Sequence, residues 1–186
     1  LTALTSGAGN LAVGHGALAR IPTGNRNIAI GSGSMATAGG TESDNIAIGT
    51  HALSSVDRNG VDANIAIGSY AMDGLATGES VVNCVSIGYG SMSATLEAEA
   101  SSTIAIGHSA LAALTSGAKN LAIGYQALLT HTTGANNIAI GHGAMTDNNA
   151  GSTSLGSNNN MFIGVDAGNG TWANAESNFN VGIGNI

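Results

Sequence analysis

The sequence predicts an all-β fold: a parallel β-solenoid, of the β-roll or β-helix type, with about ten rungs of 17–23 residues. Three observations carry this prediction. A five-residue segment recurs ten times, its side chains alternate between branched apolar and small or polar, and a second apolar position follows eight of the copies at a constant distance. We expect one domain over residues 1–186, with atypical terminal rungs in 146–186.

The recurring segment is Asn-Ile-Ala-Ile-Gly, as at 137–141, with small changes from copy to copy. Successive closing glycines are 17 to 23 residues apart, and the spacers stretch by single residues, as they do in solenoids. The ten copies occupy residues 10–14, 27–31, 45–49, 64–68, 84–88, 103–107, 120–124, 137–141, 160–164 and 180–184.

Each copy has the period-two pattern of a short strand, in which the two isoleucines share one face and Asn, Ala and Gly share the other. Branched side chains pack well on a pleated surface. We therefore expect each strand to pair with the strands of the rungs above and below it. The isoleucines are expected to form a continuous column in the interior.

A second interior column is predicted four residues after each closing glycine, where Leu or Met recurs until Gly168 breaks the pattern. Methionine fills irregular gaps in cores, and four of the five methionines occur here. The positions are Leu18, Met35, Leu53, Met72, Met92, Leu111, Leu128 and Met145. The spacer that follows is polar and rich in glycine, which is typical of a turn.

The asparagines that open the strands are expected to form stacked amide ladders between rungs. They are Asn10, Asn27, Asn45, Asn64, Asn120, Asn137, Asn160 and Asn180. Cys84 replaces one of them and is interpreted as a small buried filler. Since it is the single cysteine, it forms no internal disulfide.

The central alanines of the strands suggest a place for another chain. About three apolar side chains per rung make a thin core, so we expect self-association as a homotrimer to supply further burial. A face of small residues permits close approach, and we favour a seam between chains there; the alternative is a tight corner within one chain. The residues are Ala12, Ala29, Ala47, Ala66, Ala105, Ala122 and Ala139, with Ser86 at one place.

Composition excludes several classes of partner. The net charge is −7 and the chain has four basic residues, so nucleic acid is not expected as a ligand. No stretch approaches 18 apolar residues, so we expect no insertion into a membrane. Because the chain starts at Leu1 with no signal pattern, it is interpreted as a piece of a longer or processed protein.

No enzyme motif is complete in the sequence, so we predict no catalytic residues, no metal site and no cofactor. His15, His108 and His142 each follow a strand glycine directly. Across a threefold axis each could form a three-histidine cluster for a metal ion or an anion. The favoured interpretation is an ordinary solvated histidine at a corner.

A loop around Trp172 is the predicted contact with a target, since sugars stack on aromatic rings while polar neighbours orient their hydroxyls. The polar partners would be Asn169, Asn174, Glu176 and Asn178. In the rival interpretation, Trp172 plugs the last rungs together with Phe162 and Phe179. A second rival site is the acidic belt of loops between Glu42 and Glu99.

The pattern Thr-x-Gly-x-x-Asn-Ile-Ala-Ile-Gly-x-x-Ala-Leu, as in 132–145 with Met145 last, resembles two related groups of proteins. One is the repeat region of bacteriophage tail fibres and tailspikes; the other is the β-roll head of trimeric autotransporter adhesins. The resemblance covers nearly the whole chain, least well 146–186. It implies a homotrimer on a virion or a bacterial surface that attaches to a host glycan or another envelope receptor.

The longer and more variable rungs of this chain favour a phage fibre over an adhesin head. A glycan-depolymerising tailspike is the enzyme alternative, which release of short sugars from a capsular polysaccharide would reveal. An ice-binding rod ranks lower, because the threonines lie mainly in turns and in uneven register.

Overall fold

The computed structural model describes residues 6–20, 22–36, 40–55, 60–76, 78–146, 156–170 and 177–185. It confirms an all-β fold in which ten parallel strands form one sheet of a β-solenoid, in sequence order. A 3₁₀ turn at Ala98–Ala100 lies between two of the strands. The strands are β1 Leu11–Val13, β2 Ile28–Ile30, β3 Ile46–Ile48, β4 Ile65–Ile67, β5 Val85–Ile87, β6 Ile104–Ile106, β7 Leu121–Ile123, β8 Ile138–Ile140, β9 Met161–Ile163 and β10 Val181–Ile183.

The strands stack in strict register, with the central residue of each strand opposite the central residue of the next. Ala29 pairs with Ala47, for example, and Ala66 pairs with Ser86. The register is the same whether 17 or 23 residues separate the strands. The polar turns therefore absorb the differences in length between rungs, and the sheet remains regular.

The two faces of the strands are reversed relative to the prediction. The central alanines, such as Ala47 and Ala139, are 0% exposed, whereas the flanking isoleucines of the same strands are half-buried. A single chain already encloses the alanines, so the predicted seam between chains at this column is wrong, and so is the interior isoleucine column. The alternative, a tight corner within one chain, is correct in that one chain encloses the alanines, but they lie at the centre of the strands and not at a corner.

The outward surface of the sheet consists of two columns of aliphatic side chains, which we call the aliphatic face. It comprises the first and third residues of every strand. They are Leu11, Ile28, Ile46, Ile65, Val85, Ile104, Leu121, Ile138, Met161 and Val181 in one column and Val13, Ile30, Ile48, Ile67, Ile87, Ile106, Ile123, Ile140, Ile163 and Ile183 in the other.

The predicted Leu and Met column does lie in the interior, where it packs in one cluster with the strand alanines. All eight of these side chains are buried. The ninth rung shows why the strand contributes only a methyl group. There Phe162 replaces alanine, Gly168 replaces the large residue, and a Cβ atom at Gly168 would lie 2.6 Å from Cδ1 of Phe162. The space between the strand and the Leu and Met column thus admits one large side chain, from one side or the other.

The one serine in the alanine column forms hydrogen bonds to a second serine in the same rung. Ser86 is buried, and its hydroxyl lies 2.6 Å from the hydroxyl of Ser91 in the same rung. Ser86 Oγ also donates to the carbonyl of Ser91. A buried hydroxyl without a partner would be costly, so the pair keeps this rung compatible with its neighbours.

The interior Leu and Met residues have a left-handed backbone, which the sequence did not predict. All eight have φ between 48° and 53°, a region that bulky side chains rarely occupy. Each backbone N–H donates to a carbonyl of the next rung, as from Met72 to Ser91 at 3.0 Å and from Leu53 to Ala71 at 3.0 Å. Such strain persists only where the surroundings fix the conformation, here through burial and hydrogen bonds between rungs.

The strand-closing glycines form the predicted corners. Their φ angles lie between 126° and 140°, where side chains are strongly disfavoured. The next rung also stands too close for any side chain: a Cβ atom at Gly68 would lie 2.5 Å from the carbonyl oxygen of Gly88. Both the conformation and the close approach therefore require glycine.

The predicted asparagine ladder is confirmed. Where asparagines occupy adjacent rungs, the side-chain oxygen of one accepts hydrogen bonds from the backbone and side-chain amides of the next, at 2.9 and 3.1 Å from Asn137 to Asn120. The side-chain amide also donates to a turn carbonyl of the next rung, as from Asn120 to Gly134 at 2.8 Å. The ladder thus ties each strand to the turn of its neighbour.

Cys84 and Thr103 continue this column without an amide. The backbone N–H of Cys84 donates to Asn64 Oδ1 at 2.9 Å, and its thiol lies 3.6 Å from the carbonyl oxygen of Ala100. Burial raises the pKa of the Cys84 thiol, so the neutral thiol remains available as a weak donor. The interpretation of Cys84 as a buried filler is confirmed.

Replacing Asn64 by alanine tests the ladder. The change would leave the N–H of Cys84 without its acceptor and the carbonyl of Val81 without its donor, both within the buried column. Each orphaned group costs about 1–3 kcal/mol. We expect Asn64→Ala to lower the free energy of unfolding by about 2–4 kcal/mol, as measured by urea unfolding followed by circular dichroism.

Asn64→Thr is the matched control, because threonine occupies this column naturally at Thr103, whose hydroxyl oxygen accepts from the N–H of Asn120. It keeps an acceptor and should recover part of the lost stability. Equal losses for the two variants would show that the side chain contributes through packing and not through its hydrogen bonds.

Candidate functional site

Six ring-bearing side chains project from the corner that follows the strands, one from each of six consecutive rungs. We call them the aromatic strip: His51, Tyr70, Tyr89, His108, Tyr125 and His142. Each follows a strand-closing glycine by one or two residues. All six are exposed, and Tyr89 exposes 55% of its surface.

The rings form a stacked column along the solenoid axis. Neighbouring centroids are 5.0–5.8 Å apart, and four of the five contacts are near-parallel, with interplanar angles of 15–27°. Tyr70 and Tyr89 meet edge to face, at 72°. These separations lie in the range that aromatic pairs prefer, and every ring of the column still exposes part of its surface to solvent.

The backbone beneath the strip is fixed from rung to rung. The carbonyl of His108 accepts a hydrogen bond from the N–H of Gln126 at 2.9 Å, and the carbonyl of Tyr125 accepts from Gly143 at 2.9 Å. The His108 ring is held further, since its Nδ1 lies 2.9 Å from the hydroxyl of Ser109. The sheet and its corners therefore present the rings on a regular support.

The charged groups near the strip are acidic. His142 Nδ1 lies 3.8 Å from a carboxylate oxygen of Asp166 at one end. Asp73 interacts electrostatically with His51 at the other; burial raises the pKa of its carboxyl, with its own backbone N–H and then His51 opposing the shift. No lysine or arginine lies in the strip.

The predicted histidines fit the simple interpretation of exposed corner residues. His15, His108 and His142 are exposed at the corner after their strands, and the last two belong to the aromatic strip. Within the described ranges, no three His, Cys, Asp or Glu side chains of one chain come together to hold a metal ion. A cluster across a threefold axis stays a prediction.

The predicted loop around Trp172 lies mainly outside the described residues, as do Asn174 and Glu176. Two of its polar members are described. Asn169 is half-buried and its amide lies 3.4 Å from Asp166 Oδ1. Asn178 is exposed, and its side-chain oxygen accepts from the N–H of Asn158 at 2.5 Å. A sugar site there stays a prediction.

The structure agrees in part with the rival interpretation, in which Trp172, Phe162 and Phe179 plug the last rungs. Phe162 does turn inward and packs against the core. Phe179 does not, since it is 80% exposed. Phe162 and Gly182 border an open cavity at this end of the described solenoid.

Several acids of the acidic belt make contacts within their own loop or with the loop of a neighbouring rung. Glu42 is buried and accepts from the N–H of Gly40 at 3.2 Å, and Asp62 accepts from Ser43 at 2.7 Å. Arg26 forms a bidentate pair with Asp44, which lowers the pKa of that carboxyl and raises that of the guanidinium. These contacts favour a structural role for the belt.

The tyrosines of the strip were missed by the sequence reasoning. The sequence did contain a signal for them. All three tyrosines of the chain lie one or two residues after a strand-closing glycine, and each of their rungs is next to a rung with a histidine at this corner. Since Tyr70 occupies the second position after its glycine whereas Tyr89 and Tyr125 occupy the first, the column becomes evident only when the rungs are superposed.

Comparison with protein-family models, with curated proteins and with solved structures finds no match to this chain. No helix among the described residues is long and apolar enough to cross a membrane.

Proposed function

We propose that this chain is the structural and receptor-binding part of a trimeric attachment fibre, of the phage tail-fibre kind, that recognises a glycan or another receptor on a bacterial surface. The observation that supports it most is the aliphatic face. This face runs along all ten strands and carries no polar side chain. Long exposed apolar patches of this kind mark interaction sites.

The occupant of the aliphatic face is another copy of the same chain. The side chains of the aliphatic face repeat at the strand spacing of about 4.8 Å along the solenoid axis. Columns with this spacing interdigitate over their whole length only with columns of the same spacing, and a second copy supplies them. Fully burying an exposed aliphatic side chain contributes about 1.5–3 kcal/mol. Since most of these side chains are already half-buried, each adds roughly half of that, and the sum over the face compensates for the thin interior of one chain.

Three copies suit the shape of the face. The first and third residues of a strand are two positions apart, so the two columns lie about 7 Å from each other. In a threefold arrangement each chain has two neighbours, and each column meets one of them. The resemblance of the repeat to tail fibres and adhesin heads favours the same number. A virion is the proposed location, and a bacterial surface is the alternative.

The mass and the binding of the intact chain test this function. We expect light scattering at micromolar concentration to give three times the chain mass of 18.1 kDa. We also expect the trimer to bind envelope glycans on an array. A mass near 18.1 kDa, or a trimer that binds neither glycans nor bacterial envelopes, would contradict the proposal. Release of short sugars from a capsular polysaccharide would instead support a depolymerising tailspike.

A further inference from the structure

We propose that the aromatic strip binds a linear, uncharged polysaccharide that lies along the solenoid axis. The inference rests on the proposed attachment function and gives it a site different from the loop around Trp172. It is carried by the ring geometry, the regular spacing and the local charge.

The rings offer the two kinds of contact that a sugar needs. The three tyrosines keep 39–55% of their surface exposed, and exposed aromatic rings receive the apolar faces of sugars. The edges carry phenol hydroxyls and imidazole nitrogens, which exchange hydrogen bonds with sugar hydroxyls. None of the hydroxyls of Tyr70, Tyr89 and Tyr125 is hydrogen-bonded to another residue in the described parts of the chain. They are available to a ligand.

The spacing of the strip suits a polymer. One ring projects per rung over six rungs, which gives a row about 24 Å long with a repeat of about 4.8 Å. That repeat is comparable to the length of one sugar residue in an extended polysaccharide. The hydrogen bonds between corner backbones hold the row in place, so little ordering is needed on binding.

The shape of the strip argues against a protein partner. A stable protein interface buries about 800 Å² on each side and is several side chains wide. The strip is one side chain wide, as a single ring per rung provides. A narrow row of this form matches a narrow ligand.

The charge of the chain and of the groups around the strip favours an uncharged ligand. The chain has a net charge of −7, and the strip contains no lysine or arginine. Asp166 and Asp73 lie at its two ends. Carboxylate or sulfate groups on a glycan would meet no fixed positive charge along the row, so acidic polysaccharides are disfavoured.

The first experiment compares the intact protein with a strip variant against soluble polysaccharides. The probes are dextran, mannan, xylan and a β-linked glucan, with alginate and polygalacturonate as acidic probes, and affinity electrophoresis is the assay. We expect at least one neutral probe to be retained in preference to the acidic ones. Combined Tyr89→Ala and Tyr125→Ala should weaken its binding by about ten-fold or more.

Phe179→Ala is the matched control, because it removes an exposed aromatic ring outside the strip. Its binding should equal that of the unchanged protein. Trp172→Ala tests the rival loop and should also leave binding unchanged. The mass by light scattering and the melting temperature are measured for every variant, so that loss of assembly or of folding is recognised.

The second experiment lengthens the strip by one aromatic ring. Val165 occupies the corner position of the rung after His142 and is exposed. Val165→Tyr should extend the row by one ring. For oligosaccharides of the retained polymer, we expect affinity to rise with length up to about six units in the unchanged protein and to about seven in this variant, one sugar per rung. A purely structural strip would give no such gain.

Each contrary outcome has a distinct meaning. If the intact trimer binds an envelope receptor but no neutral polysaccharide, or binds acidic probes better, the inference fails and the attachment function stands. If neutral binding survives in the tyrosine variant or disappears in Trp172→Ala alone, the strip is not the site. If the tyrosine variant loses its trimeric mass, the strip is a contact between chains. If the intact protein binds no envelope component at all, the proposed function fails as well.

Discussion

Gly68→Ala is expected to lower the free energy of unfolding by about 3–5 kcal/mol, because two separate costs act at this corner. Gly68 has φ of 130°, which a side chain disfavours, and the new Cβ atom would lie 2.5 Å from the carbonyl oxygen of Gly88. The clash is with backbone of the next rung, so no side-chain rotation relieves it. Urea unfolding at a fixed protein concentration, followed by circular dichroism, measures the effect.

Two controls separate these costs. Gly184 has φ of 135°, yet a Cβ atom there would meet nothing within 4 Å, so Gly184→Ala isolates the conformational cost. Gly90 lies in an interior rung with φ of 59°, and a Cβ atom there has no neighbour closer than 3.9 Å. Gly90→Ala should cost about 1–2 kcal/mol. If Gly68→Ala costs no more than these two, the close approach of the rungs is not the constraint.

Ile67→Glu combined with Ile106→Glu is expected to dissociate the proposed trimer into single chains. Both side chains lie in the third-residue column of the aliphatic face and are half-buried in one chain. In the proposed assembly they become enclosed, and an uncompensated buried charge costs about 3–5 kcal/mol. Each copy would place two such charges in the contact. We expect light scattering to show a fall to the chain mass of 18.1 kDa.

The fold of the separate chain should survive this change, since both glutamates can reach water when the face is free. Far-UV circular dichroism should therefore still show β structure. Thr133→Glu adds the same charge on an exposed turn, away from the sheet, and should leave the mass unchanged. An unchanged mass for the double isoleucine variant would show that copies do not meet at the aliphatic face.

The repeat sufficed to predict every strand, because Asn-Ile-Ala-Ile-Gly combines a strand pattern with a glycine corner and recurs without a gap. It also predicted the amide ladder and the Leu and Met column, since a position that is constant through many rungs must have a constant environment. Asn137 and Met72 are examples, and both are buried as expected.

The inward face of the strand was not predictable in the same way. A period of two separates the faces of a strand but does not say which one is enclosed. The larger side chains were assigned to the interior. The space inside the rung determines which face is enclosed. Met72 and its equivalents occupy the space opposite the strand, so only a methyl group such as that of Ala66 fits on the inward face. Phe162 opposite Gly168 is the one place where the sequence displays this exchange of volumes.

The aromatic strip was not predictable from the sequence for a different reason. His51 and Tyr70 occupy the second position after their glycines, whereas Tyr89 and His108 occupy the first. Their rings nevertheless meet, because a long side chain reaches across one residue of corner backbone. Sequence spacing alone does not describe such contacts.

The strict register of the ten strands also bears on how such a rod can change in length. Every junction between rungs uses the same backbone bonds, so removing or duplicating one complete rung recreates a junction that already exists elsewhere in the molecule. A deletion of an odd number of residues within one strand would instead turn the rest of that strand to the wrong face, while the polar turns would restore the register in the later rungs. Recombination between copies of the repeat can therefore lengthen or shorten the rod in steps of about 4.8 Å and preserve its surfaces.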